Sequence, residues 1–137
     1  MATIEAALKV QERLQAASAE YQRLQAELAA AVEARQKLDA QLSENELVKK
    51  EFTSLTPNNT VYKLVGPVLV PQDQAEAKGN VDKRLDFIRS DIKRVEAQLK
   101  EIGDKSEKKK LEIVEGQTAL QQLEVELQKS GALPAAA

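Results

Sequence analysis

Two long stretches of the chain place apolar residues at alternating steps of three and four, which is the heptad spacing of a coiled coil. The first stretch runs from Ala7 to Phe52 and the second from Val81 to Leu127, and eleven of the fourteen spaced positions are apolar in each. Both repeats persist beyond the three or four heptads that indicate a coiled coil. The seam positions are Ala7, Val10, Leu14, Ala17, Tyr21, Leu24, Leu28, Ala31, Arg35, Leu38, Leu42, Asn45, Lys49 and Phe52, then Val81, Leu85, Ile88, Ile92, Val95, Leu99, Ile102, Ser106, Lys109, Ile113, Gly116, Leu120, Leu123 and Leu127.

The segment between the stretches has a different pattern. Pro57, Asn58 and Asn59 are typical of a helix end, and the strings VYKLV and VLV around Gly66-Pro67 predict a β-hairpin. We expect Pro71 to close the second strand. Asp73 followed by Glu76 has capping-box spacing, which predicts the start of the second helix.

The predicted order is helix, strand, strand, helix in a single domain, 1–137, and a short link between two apolar stripes favours pairing within the chain. The chain is therefore expected to fold back as an antiparallel hairpin of helices, with Phe52 near Val81, Ala17 near Gly116 and both termini at the far end, here called the tip. The expected segments are an N-terminal coiled-coil helix at 1–55, a β-hairpin at 56–72, a C-terminal coiled-coil helix at 73–130 and a flexible tail at 131–137.

Composition narrows the chemistry that the chain can perform. It has no Cys and no His, which removes thiol and imidazole catalysis, disulfides and Cys/His zinc sites. Its 20 basic and 22 acidic residues are interspersed, so we expect no nucleic-acid partner. The Lys108-Lys109-Lys110 run is better explained as a solvated helix face than as a phosphate site. We expect no enzyme activity, cofactor or metal, no membrane association, and a reducing, cytoplasmic location.

The predicted hairpin has apolar side chains on both faces and two unpaired edges, and an isolated two-stranded hairpin is only marginally stable in water. One interpretation is that other subunits cover it by pairing strand to strand, which makes assembly obligatory. The alternative is that the strands fold back on the chain's own helices. The residues expected to mediate oligomerisation are Val61, Tyr62, Leu64, Val65, Val68, Leu69 and Val70.

The stretch NNTVYKLVGPVLVPQDQAEAKGNVDKRLDFI, residues 58–88, resembles the signature of beta-type subunits of the chaperone prefoldin. The resemblance implies a mainly α fold, a long antiparallel two-helix coiled coil whose single β-hairpin joins an oligomeric β-barrel platform. It implies a heterohexamer of two alpha-type and four beta-type subunits. It also implies ATP-independent capture of non-native proteins such as actin and tubulin, and their delivery to the cytosolic group II chaperonin. The alternative function is a structural coiled-coil tether or assembly scaffold.

Holding an unfolded protein requires accessible apolar surface, which we expect at the tip. Five apolar residues there lie off the seam, although scattered surface leucines and valines are also common without a function. The half of the coiled coil near the tip and the half near the hairpin have equal numbers of apolar seam positions. The tip is nevertheless expected to fray, because it contains two helix glycines, Gly103 and Gly116, and the small seam residues Ala7 and Ala17. The predicted client-binding residues are Ile4, Leu8, Val10, Leu14, Leu111, Val114, Leu120, Leu123, Val125 and Leu127.

Overall fold

A computed structural model describes residues 2–131, and these form two long helices joined by one antiparallel β-hairpin. Helix α1 covers Ala2–Thr53, strands β1 and β2 cover Val61–Val65 and Val68–Gln72, and helix α2 covers Gln74–Lys129. The predicted mainly α class and the order of elements are confirmed. The tail expected at 131–137 lies, apart from Gly131, outside the described residues.

The ends of the helices are formed by the residue types that the sequence indicates. Asp73 caps α2, because its Oδ2 accepts a hydrogen bond from the Glu76 N–H at 3.1 Å. Beyond the last turn of α2, Gly131 has a φ of 73°, a left-handed conformation that glycine adopts without the steric cost of a Cβ. The Gly131 N–H donates to the Gln128 carbonyl at 3.1 Å, so one of the free carbonyls at the helix end is satisfied.

The hairpin pairs residues 61–65 with residues 72–68, and its two-residue loop is Gly66-Pro67. Gly66 has a φ of 58° and proline is fixed at negative φ, which is the order of signs in a type II′ turn. The expectation that Pro71 closes the second strand is wrong, because β2 continues through Pro71 to Gln72. Pro71 lies opposite Tyr62, in a pair that exchanges no hydrogen bonds, so its missing N–H costs the hairpin nothing.

The chain divides into two compact units. The hairpin unit is Ala31–Gln98, and the terminal unit is Met1–Ala30 together with Leu99–Ala137. In the described part of both units, every predicted seam position is buried or half-buried, so the heptad assignment is confirmed residue by residue.

The pairing of α1 with α2 is antiparallel within each unit, as predicted. In the terminal unit Ala17 and Gly116 line the same small cleft, and in the hairpin unit Phe52 and Val81 do so, which agrees with the expected pairing. Leu14 lies nearest to Gly116, because a Cβ added to Gly116 would lie 3.2 Å from Leu14 Cδ1.

Candidate functional site

Two surfaces are candidates for function, the hairpin and the outer face of the terminal unit. The hairpin is held at its base by polar contacts with the start of α2. Gln74 Nε2 donates hydrogen bonds to the backbone carbonyls of Thr56 and Asn59 at 2.8 and 2.7 Å. Asn59 Oδ1 in turn accepts from the Thr56 N–H at 2.7 Å, which closes the turn that leads into β1. These bonds fix the direction in which β1 leaves the helices.

The hairpin surface is mostly apolar and exposed. Because side chains alternate across a strand, Tyr62, Leu64, Leu69 and Pro71 share one face, and that face is apolar at every position. Leu64 is 68% exposed, and Val61 is half-buried. All seven predicted oligomerisation residues therefore lie on one two-stranded sheet, and the remaining six are exposed, namely Tyr62, Leu64, Val65, Val68, Leu69 and Val70.

The terminal unit carries the ten predicted client-binding residues, and the structure separates them into two groups. Five lie off the seam and are exposed, as expected from their heptad positions; we call them the outer apolar residues. They are Ile4, Leu8, Leu111, Val114 and Val125. Their role in binding clients stays a prediction.

The other five predicted residues are seam residues. Leu127 is only 4% exposed, and the remaining four are half-buried between the helices. A client could reach their full side chains only where α1 and α2 separate. The group consists of Val10, Leu14, Leu120, Leu123 and Leu127.

Polar contacts differ along the seam. In the hairpin unit, Arg35 Nη1 donates to Glu96 Oε1 at 2.6 Å across the helix pair, and its Nε donates to Asp39 Oδ1 at 3.2 Å. The hydrogen bond to Asp39, and then that to Glu96, raises the pKa of Arg35, so the guanidinium remains charged. Arg35 occupies a seam position and bonds to one residue of the opposite helix, which agrees with a role in setting register.

In the terminal unit a neutral contact takes the corresponding place. Ser106 is buried in the seam, and its Oγ accepts a hydrogen bond from Gln25 Nε2 at 2.7 Å. On the surface of the same unit, Arg23 bridges Glu20 and Glu27 within α1. Its hydrogen bond to Glu20 lowers the pKa of that carboxyl, and the charges of Lys109 and Lys105 on α2 act in the same direction.

Sequence reasoning missed an exposed aromatic residue beside the hairpin. Phe87 on α2 is 73% exposed and lies one residue before the buried seam position Ile88. The heptad pattern does predict that Phe87 is exposed, because Phe87 falls between the seam positions Leu85 and Ile88. Its distance in sequence from both termini separates it from the tip, where client contacts were expected.

None of the helices in residues 2–131 is both long and apolar enough to cross a membrane. That part of the chain also has no cluster of three or more acidic side chains arranged to hold a metal ion. The candidate functional features are thus the two exposed apolar surfaces.

Comparison with known proteins shows which family this architecture represents. Residues 15–122 match the prefoldin subunit family. The chain belongs to this family, whose members are chaperone subunits that assemble with other prefoldin subunits and are not enzymes.

Among individual proteins, the chain is similar to prefoldin subunit 6 of Bos taurus, with 43% identity over 128 residues that cover 93% of this chain and 94% of that protein. It is 47% identical to prefoldin subunit 6 of Saccharomyces cerevisiae over 96 residues, covering 70% of this chain and 84% of that protein. The crystal structure of the prefoldin beta subunit from Thermococcus strain KS-1 superposes with a TM-score of 0.67 at 26% identity, covering 79% of this chain and 92% of that one.

Proposed function

We propose that this subunit holds non-native proteins, without using ATP, on the outer apolar residues of its terminal unit. The observation that carries the proposal is the exposure of Ile4, Leu8 and Val125 in the turns nearest the helix ends. Gln25 bonds to Ser106 and Leu14 lies against Gly116, and antiparallel pairing continued from these contacts brings Val125 opposite the turn between Ile4 and Leu8. Unfolded proteins share exposed apolar side chains and no common sequence, so dispersed apolar contacts on two helices suit them better than a shaped pocket.

The hairpin supplies the assembly part of the proposal. Its two edges and two apolar faces are covered when neighbouring subunits add strands, and we propose that six subunits, two alpha-type and four beta-type, form a β-barrel platform in this way. The clients are non-native proteins such as actin and tubulin chains. Their recipient is the group II chaperonin of the cytosol, which makes the cytoplasm the place of action.

The holding function is tested with the subunit assembled into its hexamer. Replacing Ile4, Leu8 and Val125 together with Ser removes apolar surface without touching the seam, so assembly is expected to persist. Suppression of the aggregation of denatured actin, followed by light scattering, is expected to fall several-fold. The matched control replaces Val32 and Leu47, which are exposed apolar residues of the hairpin unit, with Ser. Unchanged suppression by the triple variant, or an equal loss in the control, would contradict the role of the terminal unit.

The assembly function is tested on the apolar face of the hairpin. Leu64 and Leu69 lie opposite each other, and replacing both with Lys places two charges where neighbouring side chains would pack. We expect no hexamer by native mass spectrometry when this variant is mixed with the other prefoldin subunits. A Leu47→Lys variant, equally exposed but on α1, is expected to assemble normally. A normal hexamer from the hairpin variant would show that assembly does not depend on this apolar face.

A further inference from the structure

A cleft of about 720 Å³ lies in the hairpin unit between β1 and the adjoining turns of both helices. Its apolar lining includes Val48 of α1, Val61 and Tyr62 of β1, and Phe87 of α2. Phe87 is the most exposed large apolar side chain within residues 2–131, and Val48 and Tyr62 are also exposed. An aromatic ring left in water next to a cleft is characteristic of a residue that packs against a partner.

The charged side chains of this cleft that have no ion-pair partner in the described part of the chain are all positive. Lys63, Lys83 and Arg84 line it, and none of the three forms an ion pair with another residue in the range 2–131. The carboxylate in the lining, Asp91, lies 3.6 Å from Arg94 and is therefore already paired. The cleft thus combines an apolar centre with three free cations, which complements an apolar side chain flanked by carboxylates.

The position of the cleft indicates which kind of partner brings that segment. Val61, Tyr62 and Lys63 belong both to the cleft wall and to β1, the strand that the proposed assembly pairs with a neighbour. A subunit whose strand adds to β1 passes directly beside the cleft. Binding of a client to the outer apolar residues requires no contact with the cleft.

We propose that this cleft is a second contact between subunits, in which a neighbouring prefoldin subunit inserts an apolar side chain against Phe87 and pairs acidic residues with Lys83 and Arg84. The inference rests on the proposed function in one respect, because it takes the hairpin as the site of assembly. Strand pairing at the hairpin depends mainly on the backbone, which related subunits share. The cleft contact depends on side chains and charge, so it can distinguish between related neighbours.

The first experiment uses the fact that the chain has no cysteine. In a Phe87→Cys variant the single thiol is labelled with a maleimide–diazirine cross-linker, and the labelled chain is then mixed with the other prefoldin subunits of its source. After illumination in the presence of denatured actin, we expect a cross-link to another prefoldin subunit. A Leu47→Cys variant, exposed on α1 but outside the cleft, is the control. Cross-links mainly to actin, or no excess over the control, would overturn the proposal.

The second experiment tests the charges. A Lys83→Glu, Arg84→Glu variant is expected to enter hexamers at least about fivefold less well than the unchanged chain when the two compete for the same partners. Lys93→Glu changes an exposed lysine of α2 outside the cleft and is expected to compete normally. Equal competition by the double variant would refute the cleft contact. If that occurs while the Leu64→Lys, Leu69→Lys variant still blocks assembly, the cleft proposal fails and the hairpin proposal stands.

Discussion

In the hairpin unit, α2 buries four large apolar seam residues in succession, Leu85, Ile88, Ile92 and Val95, whereas the described part of the terminal unit buries Leu24 and Leu127 together with the small Ala17. The terminal unit also buries Ser106. The terminal unit has thirteen apolar seam positions and the hairpin unit nine, so a count of residues does not reveal this difference. Side-chain size and depth of burial do, because the free energy gained depends on the apolar area removed from water.

The contacts across the helix pair differ in the same direction. Within residues 31–98 three ion pairs join α1 to α2, namely Arg35–Glu96, Lys49–Asp82 and Glu46–Arg89. In the described part of the terminal unit, each ion pair lies within a single helix. The hairpin unit is therefore built for a fixed register, and the terminal unit for a looser pairing.

The largest effect that tests this comparison is expected at Leu85, which is fully buried. Leu85→Ala should lower the free energy of local opening in the hairpin unit by about 3 kcal/mol, since the substitution leaves a cavity. The corresponding change in the terminal unit, Leu120→Ala, starts from a half-buried side chain and should cost about half as much. Hydrogen–deuterium exchange of backbone amides in the assembled complex measures both. Equal losses would mean that the two units are packed equally well.

A smaller effect is expected at two glycines inside α2. A Cβ would meet no atom within 4 Å at Gly103 in the terminal unit or at Gly79 in the hairpin unit. Replacing either with Ala should therefore stabilise its part of the helix by about 1 kcal/mol. Gly116→Ala should gain less, because its new Cβ would crowd Leu14.

These glycine variants also connect stability with function. If looseness of the terminal unit serves client capture, Gly103→Ala should reduce suppression of actin aggregation, while Gly79→Ala should leave it unchanged. Amide exchange in the assembled complex verifies that each variant has the expected gain in stability. An equal stabilisation without any difference in holding activity would show that capture uses the exposed side chains alone.

The smallest effect concerns acid. Glu20 has a lowered pKa, mainly through its hydrogen bond from Arg23, so its ionised form stabilises the folded state. That contribution is complete above the normal glutamate range and is lost as the pH falls through the lowered pKa of the folded state. Amide exchange in the terminal unit is therefore expected to show a slight acid-dependent loosening that Glu20→Gln removes. A Glu33→Gln variant, which alters an ion pair within α1 of the hairpin unit, should leave it in place.

The sequence was sufficient to predict the helices, the hairpin and all seam positions, because heptad spacing and turn residues act locally. Heptad spacing alone leaves the offset between the helices open, since any shift by whole heptads keeps the apolar stripes in contact. The extension of β2 through Pro71 was missed because proline usually ends a strand, and only the pairing shows that its nitrogen needs no partner here.

Of the candidate surfaces, the exposure of the hairpin and of the outer apolar residues follows from pattern. The contacts of Gln74 with Thr56 and Asn59 do not, because these residues are far apart in sequence and polar residues in a loop carry no periodic signal. The cleft at Phe87 depends on how β1 lies against the helices, which is a tertiary property. Which of its cations remain unpaired depends on the ion pairs that form elsewhere in the unit, and sequence does not determine those pairs.

Pro71 also makes the two edges of the hairpin unequal. The outward edge of β1 presents the N–H groups of Tyr62 and Leu64, whereas the outward edge of β2 presents that of Leu69 but none at Pro71. A strand approaching β2 finds one donor fewer than a strand approaching β1. If neighbouring subunits add strands to both edges, as proposed, a subunit that pairs with β1 is not interchangeable with one that pairs with β2.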